Sequence, residues 1–239
     1  MELVRCQDSE DISRKAAELF VQLAGESISS HGRFAVALSG GSTPKILYSR
    51  LAGIPGVPWN DIHLFWGDER CVPPDHRDSN YRMTREALLD RAPIPAANIH
   101  RIRGEDPQPE KAAQDYEQEI RNVFGDGDAW PRFDLVFLGM GDDGHTASLF
   151  PGTSALKVTD RLVVSNYVEK FTANRITFTA PLINHAAHVA FLISGESKAS
   201  PLREVLRGAR QTDVYPSQLI QPVNGKLTLF VDQPAFKLL

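Results

Sequence analysis

Apolar residues recur along this chain with two different spacings, and each spacing predicts a different element. Between residues 9 and 30, Ile12 and Ala16 belong to a stripe spaced by three or four positions, which is typical of a helix packed by one face. Asp8 or Ser9 is suited to cap the start of that helix. The same spacing predicts further helices from Thr43 onward and over residues 79–89, 108–123 and 198–206.

Short uninterrupted apolar runs predict strands instead, because a strand covered on both faces has no polar side. These runs lie at residues 33–39, 61–67, 133–138, 162–165, 175–179, 189–193 and 226–231. Strands that alternate with helices favour an α/β fold, a doubly wound, mostly parallel sheet with helices on both faces. We find no repeat and no long linker, so residues 1–239 are expected to form a single domain, with residues 125–128 as a surface loop.

Composition and charge narrow the function classes. The 239 residues carry a formal net charge of −4, which argues against a strongly basic nucleic-acid binder and means that an anionic ligand must be held by local donors. Two cysteines, Cys6 and Cys71, are too few for a disulfide scaffold or a zinc cluster. Residues 1–5 lack an apolar signal core and no apolar run approaches the roughly 18 residues of a membrane span, so we expect a cytoplasmic protein.

In an open α/β sheet, ligands bind beyond the carboxyl ends of the strands, so three loops are of interest. The first is Ser39-Gly-Gly-Ser-Thr-Pro44. Gly41 allows a close backbone approach, Ser42 and Thr43 add hydroxyl donors, and a helix start adds free N–H groups, which together favour a phosphate cradle. The alternative is a tight turn in which Thr43 caps the helix. The loop is neither a P-loop nor a nucleophile elbow.

The second loop, residues 67–73, places Asp-Glu-Arg at the end of an apolar strand. Arg70 is a candidate for facing an anion or a developing negative charge. The alternative is a solvated charged rim. Two further cations, Arg175 and Lys198, are candidates to complete an anion site, although the residues alone favour an ordinary surface position for each.

The third loop, residues 139–148, contains G-x-G-x-x-G, the nominal dinucleotide fingerprint. It comes late in the chain, and no acid ends the strand about 20 residues later, so we do not read it as a nucleotide site. More informative is His145, which follows the carboxylate of Asp143 by two residues on a glycine-rich turn. An imidazole titrates near neutral pH and is the commonest general base, and a neighbouring carboxylate holds its tautomer.

Several motifs together resemble the 6-phosphogluconolactonase family of the glucosamine/galactosamine-6-phosphate isomerase-like superfamily. They are Ser39–Pro44, Asp68–Pro73 with Ser79-Asn80, Gly139–Pro151, Arg175–Thr179 and Gly195–Ala199. The resemblance implies a Rossmann-like fold, no metal and no cofactor. It also implies hydrolysis of 6-phospho-D-glucono-1,5-lactone in the oxidative pentose phosphate pathway, with His145 as base and with Ser42, Thr43, Arg175 and Lys198 at the phosphate end.

The mechanism expected from the resemblance is ester hydrolysis. His145 removes a proton from a water that attacks the carbonyl, Asp143 positions His145 or the water, and loop N–H groups or Arg70 stabilise the oxyanion. The expected partner is the sugar-phosphate lactone alone, with no nucleic acid and no membrane, and the chain is expected to be a monomer or a weak homo-oligomer.

Two alternatives stay open. In the loop that corresponds to the third one here, glucosamine-6-phosphate deaminases have a sequence similar to Asn-Gly-His-Ile-Ala-Phe-Asn-Glu-Pro. This chain has Asp143-Gly-His-Thr-Ala-Ser-Leu-Phe-Pro151 instead and lacks the Glu before the proline. A non-catalytic sugar-phosphate sensor would keep Ser42 and Thr43 but would not need Asp143 and His145.

Overall fold

The computed structural model describes residues 1–125 and 130–239, so most of the predicted surface loop at 125–128 lies outside the described residues. Ten strands, numbered along the chain, form two sheets. They are β1 Glu2–Cys6, β2 Phe34–Leu38, β3 Ile62–Trp66, β4 Asp68–Arg70, β5 Ile99–His100, β6 Leu135–Leu138, β7 Val163–Val168, β8 Ala173–Phe178, β9 His188–Ile193 and β10 Lys226–Asp232.

The larger sheet has seven strands in the order β1-β10-β9-β6-β2-β3-β5, and all of its pairings are parallel. Every residue of β2, β6 and β9 is buried, as the apolar runs predicted. The predicted α/β fold with a mostly parallel sheet is therefore confirmed.

The helices are α1 Ser9–His31, α2 Ser42–Leu51, α3 Asn80–Thr84, α4 Pro109–Phe124, α5 Ala180–Asn184, α6 Ala199–Arg207 and α7 Gln233–Phe236. The five predicted helices begin within one residue of their predicted starts, whereas the short helices α5 and α7 were not predicted. At α1 and α3 a side-chain cap marks the start. The Asp8 carboxylate accepts from the Asp11 N–H at 2.9 Å, and the Ser79 hydroxyl accepts from the Arg82 N–H at 3.1 Å. Within the described residues, no helix is both long and apolar enough to cross a membrane.

A second sheet was not expected from the periodicity. Strands β4, β8 and β7 pair antiparallel in that order, apart from the parallel sheet. β7 and β8 are joined by a short turn at Glu169–Phe171, which forces an antiparallel hairpin because a parallel pair needs a long crossover. The loop predicted at 68–70 is strand β4, because β8 supplies its pairing partner. The edge strand β1 was also missed, since it is mostly exposed and has no continuous apolar run.

The hydrophobic core includes residues of both sheets. Phe133 contacts Phe65 of β3 at a ring-centroid distance of 5.1 Å and Phe178 of β8 at 5.2 Å, and all three side chains are fully buried. This aromatic contact fixes the smaller sheet against the larger one, and the cleft described next lies where loops of both sheets meet.

Candidate active site

A cleft of about 290 Å³ is lined by residues that directly follow β2, β3 and β6. Gly41 comes from the first loop, Arg70 from β4, and His145 from the third loop, while Arg175 and Lys198 reach it from β8 and from the start of α6. The structure thus brings together five residues that the sequence singled out separately. Three of the five are cations, so the cleft is suited to an anionic ligand.

His145 and Asp143 form a close pair at the edge of this cleft. The loop turns at Gly144, whose φ is +76°, and the turn returns the imidazole onto the preceding carboxylate. Nδ1 of His145 lies 2.5 Å from Oδ1 of Asp143, and the same oxygen accepts the His145 N–H at 3.2 Å. Because Nδ1 is engaged with the carboxylate, Nε2 is the nitrogen left to exchange a proton.

Asp143 is held as a carboxylate by its neighbours. Burial by itself would raise the pKa of Asp143, but the hydrogen bond and charge of His145, together with a hydrogen bond from Lys170, outweigh it and hold that pKa well below its usual range. Lys170 Nζ lies 3.2 Å from Oδ2 of Asp143, and this contact raises the pKa of Lys170. The carboxylate therefore accepts on both of its oxygens.

Two glycines are required by close packing rather than by a turn. A Cβ on Gly141 would lie 2.0 Å from Nδ1 of His145, and a Cβ on Gly40 would lie 1.9 Å from Oδ1 of Asn80. Both distances are well inside van der Waals contact, so any other residue would displace the imidazole or the amide. Gly139, by contrast, has open space where its Cβ would be.

An aromatic wall stands against the imidazole. The Phe150 ring stacks on His145 with a centroid distance of 4.0 Å and an interplanar angle of 27°. Phe171, at the tip of the β7–β8 hairpin, meets Phe150 edge to face at 5.6 Å, and the Arg175 guanidinium lies 5.1 Å from the Phe171 ring centroid. These contacts fix the ring plane of His145 and give one side of the cleft an apolar surface.

The cationic side of the cleft is built by strand register. Arg70 and Arg175 are direct partners in the antiparallel pairing of β4 with β8. Burial and the charge of Arg70 lower the pKa of Arg175. The Arg70 guanidinium donates to the Asp78 carbonyl, whereas its buried Nε finds no hydrogen-bond partner among the described residues. Like charges placed opposite each other are destabilising, which an anion in the cleft would relieve.

The first loop presents backbone more than hydroxyl groups. α2 begins at Ser42, and Gly41 occupies the N-cap position with a φ of +114° and no side-chain cap, so the predicted alternative of a Thr43 cap is wrong. Of the described residues that line the cleft, this loop supplies Ser39, Gly40 and Gly41. Ser42 and Thr43 lie outside that set, Ser42 exposed and Thr43 buried, and they sit in the first turn, whose N–H groups are not paired within a helix.

The second loop is not a solvated rim, so that alternative is wrong. Asp68 and Glu69 are buried. Glu69 accepts the N–H groups of Asn80 and Tyr81, both at 2.8 Å, and thereby anchors the start of α3. Asp68 lines the cleft and accepts the Ser148 hydroxyl at 2.6 Å.

Sequence reasoning missed Asp68, Ser148, Asn80 and Ser39 as parts of this site. Asn80 donates to the carbonyl oxygen of Asp68 at 2.9 Å, and the buried hydroxyl of Ser39 finds no partner within the described part of the chain. The signal available in the sequence was an acidic pair directly after an apolar strand, a place where unpaired charge is costly.

Within residues 1–125 and 130–239, no three His, Cys, Asp or Glu side chains converge so as to hold a metal ion.

Fold and cleft together define an α/β protein whose strand-end loops enclose a small cationic cleft beside a histidine–aspartate pair. The chain belongs to the family of glucosamine-6-phosphate isomerases and 6-phosphogluconolactonases, whose model matches residues 7–229. This match confirms the resemblance inferred from the loop motifs.

Individual proteins that are similar to this chain carry one of the two names in the family description. A protein of Nostoc sp. named 6-phosphogluconolactonase is 45% identical over 229 residues, covering 95% of this chain and 94% of the relative. Another of that name, from Synechocystis sp., is 48% identical over 211 residues, covering 88% and 86%. Among solved structures, 6-phosphogluconolactonase from Trypanosoma cruzi is similar with a TM-score of 0.89 and 31% identity, covering 99% of this chain and 96% of that one.

Proposed function

We propose that this protein hydrolyses 6-phospho-D-glucono-1,5-lactone to 6-phospho-D-gluconate, and that residues 1–239 act as one domain. The observation that carries the proposal is the meeting of the His145–Asp143 pair with three cations in one cleft. Relatives that bear the name 6-phosphogluconolactonase and align along nearly the whole chain support the choice of substrate.

The phosphate anchors the substrate in this scheme. Arg175 and Lys198 supply charge from the cleft lining. In this proposal the N–H groups at Gly41, Ser42 and Thr43, which lie at the start of α2 and are not paired within the helix, supply directed donors at the positive end of its dipole. A net charge of −4 makes such local donors necessary. Binding at the phosphate then orients the lactone ring toward His145.

His145 acts as the general base. Its Nε2 takes a proton from a water whose oxygen bonds to C1 of the lactone, and Asp143 stabilises the imidazolium that results. Arg70 or nearby loop N–H groups stabilise the negative charge on the carbonyl oxygen of the tetrahedral intermediate. When the bond from C1 to the ring oxygen breaks, His145 returns the proton to that oxygen. The carboxylic acid that forms releases its proton to solvent to give 6-phospho-D-gluconate, so atoms and charges balance.

Phe150 argues against the deaminase alternative. The deaminase pattern places a Glu five residues after the histidine, where it would serve ring-opening acid chemistry, and this chain has Phe150 there. Phe150 stacks on the imidazole at 4.0 Å, so an apolar ring occupies that side of His145. A non-catalytic sensor needs only to bind the sugar phosphate, so it does not account for the pairing of Asp143 with His145.

The decisive experiment assays the purified protein on three substrates after extensive chelation. We expect it to open 6-phosphogluconolactone faster than the subtracted background and to open unphosphorylated gluconolactone much less efficiently. We expect it to release no ammonia from glucosamine 6-phosphate. Ammonia release would make the protein a deaminase, binding of the sugar phosphate without turnover would make it a sensor, and activity restored only by an added divalent ion would overturn the metal-free mechanism.

A further inference from the structure

Lys170 is a charged residue outside the predicted site that nevertheless contacts the catalytic pair. It lies in the turn Glu169–Phe171 at the tip of the β7–β8 hairpin, 27 positions after Asp143 along the chain. Its Nζ is 3.2 Å from Oδ2 of Asp143 and 3.7 Å from Oδ1 of Asp142. Asp143 uses its other oxygen for His145, so Lys170, Asp143 and His145 form one continuous chain of polar contacts.

The turn that carries Lys170 is held in place by the pairing of the two strands that it joins. Strands β7 and β8 pair through six residue pairs, from Val163 with Phe178 to Val168 with Ala173. The turn closes through the Thr172 N–H, which donates to the Glu169 carbonyl at 3.0 Å, with Thr172 in the left-handed region at a φ of +49°. The neighbouring Phe171 packs on Phe150 and lines the cleft. The tip therefore makes two contacts beside His145, one through Lys170 to Asp143 and one through Phe171 to Phe150.

We infer that Lys170 is a positioning residue, which acts through Asp143 to hold the orientation of His145 and to balance the charge beside the imidazole. The inference rests on the proposed lactonase mechanism. With one oxygen accepting a hydrogen bond from Lys170, rotation of the carboxylate plane away from Nδ1 would break that contact. The positive charge of Lys170 also offsets part of the negative charge that Asp143 presents to the imidazolium.

The position of Lys170 separates this role from substrate binding. Its side chain is 53% exposed, and it is not among the described residues that line the cleft, unlike Phe171 next to it. Removal should therefore affect the catalytic step and its pH dependence more than KM. The other charged groups around the pair are Asp142 on the same loop and, on the elements that line the cleft, Asp68, Arg70, Arg175 and Lys198.

The test compares Lys170→Met with Lys170→Arg and with Lys157→Met, which removes an exposed lysine from the turn Ser154–Lys157. We expect Lys170→Met to lower kcat about 3- to 5-fold, the upper part of the range for an exposed ion pair, with KM within about 2-fold. The acid limb of kcat/KM should move up by about half a pH unit, and about 1 M salt should shrink this difference. Lys170→Arg should recover most of both effects, and Lys157→Met should match the wild type.

A double-mutant cycle decides whether Lys170 acts through Asp143. In an Asp143→Ala background, which removes both carboxylate oxygens, Lys170→Met should have no further effect on kcat, because the contact is already lost. A full-size effect in that background, or a Lys170→Met enzyme with wild-type kcat and pH profile, overturns the inference while leaving the lactonase proposal intact. A wild-type protein that does not hydrolyse the lactone overturns the proposed function itself.

Discussion

Arg70 and Arg175 occupy directly opposite positions in the β4–β8 pairing, so two guanidinium side chains face the same cleft from neighbouring strands. Folding brings these like charges together at an energetic cost, and burial of Arg175 adds to it. A bound anion would relieve the repulsion between the two guanidinium groups, and this relief would favour binding of the anion. The pair is therefore the part of the site most directly suited to a phosphate or to an oxyanion.

We expect Arg175→Ala to lower kcat/KM for the phosphorylated lactone by about 10- to 100-fold, since a charge-assisted hydrogen bond contributes about 1.5–3 kcal/mol. The loss should fall mainly on KM if the contact is equal in the ground and transition states. Steady-state kinetics with phosphorylated and unphosphorylated gluconolactone measure it, with Arg77→Ala, a highly exposed arginine, as the control. An equal loss on both substrates would mean that Arg175 does not bind the phosphate.

His145→Ala should lower kcat by about 10²- to 10⁴-fold, the usual contribution of a general base, while leaving product affinity nearly unchanged. The matched control is His31→Ala, because His31 forms a similar pair with Asp134, with Nε2 3.0 Å from Oδ1, away from the cleft. The spontaneous hydrolysis of the lactone must be subtracted. If folded His145→Ala protein keeps more than about a tenth of the wild-type kcat, the base is another residue.

A glycine of the third loop gives a steric test. Gly141→Ala should lower kcat by at least about 10-fold, because the new methyl group would overlap the imidazole and push it off the line of attack. Gly25→Ala, on α1 and outside the set of residues that line the cleft, meets open space and should stay close to wild type. Circular dichroism of both variants checks that the fold is kept. Equal activity of the two variants would contradict the close packing of His145 on Gly141.

Asp143 should make folding stability depend on pH in a defined direction. Because the folded state lowers its pKa, the unfolded chain binds the proton more tightly, so the stabilisation is present above the unfolded pKa of about 3.9 and is lost as the pH falls below it. The Tm difference between wild type and Asp143→Asn should thus be largest above about pH 5 and should shrink toward pH 3. Thermal melts across that range, with Asp160→Asn as an exposed control, measure this. A difference that stays constant down to pH 3 would contradict it.

Local features of the sequence determined most of the parallel framework. The burial of β2, β6 and β9 follows from continuous apolar runs, and the starts of α1 and α3 follow from Asp8 and Ser79, because both signals act within a few residues. The choice of His145 and Asp143 as candidates belongs to the same group, since it needs only a glycine-rich turn and a spacing of two residues. Whether Asp143 contacts His145 or the attacking water stayed open in the sequence, and the structure shows the contact with Nδ1 of His145.

Tertiary structure decided what the periodicity of single segments cannot encode. The pairing of Arg70 with Arg175, the packing of Asn80 on Gly40 and the contact of Lys170 with Asp143 each join segments far apart in the chain. They depend on which strands pair and in which register. An apolar run predicts that a strand is buried but does not choose its partner, so the second sheet and the charges that it brings to the cleft emerge only when the chain folds.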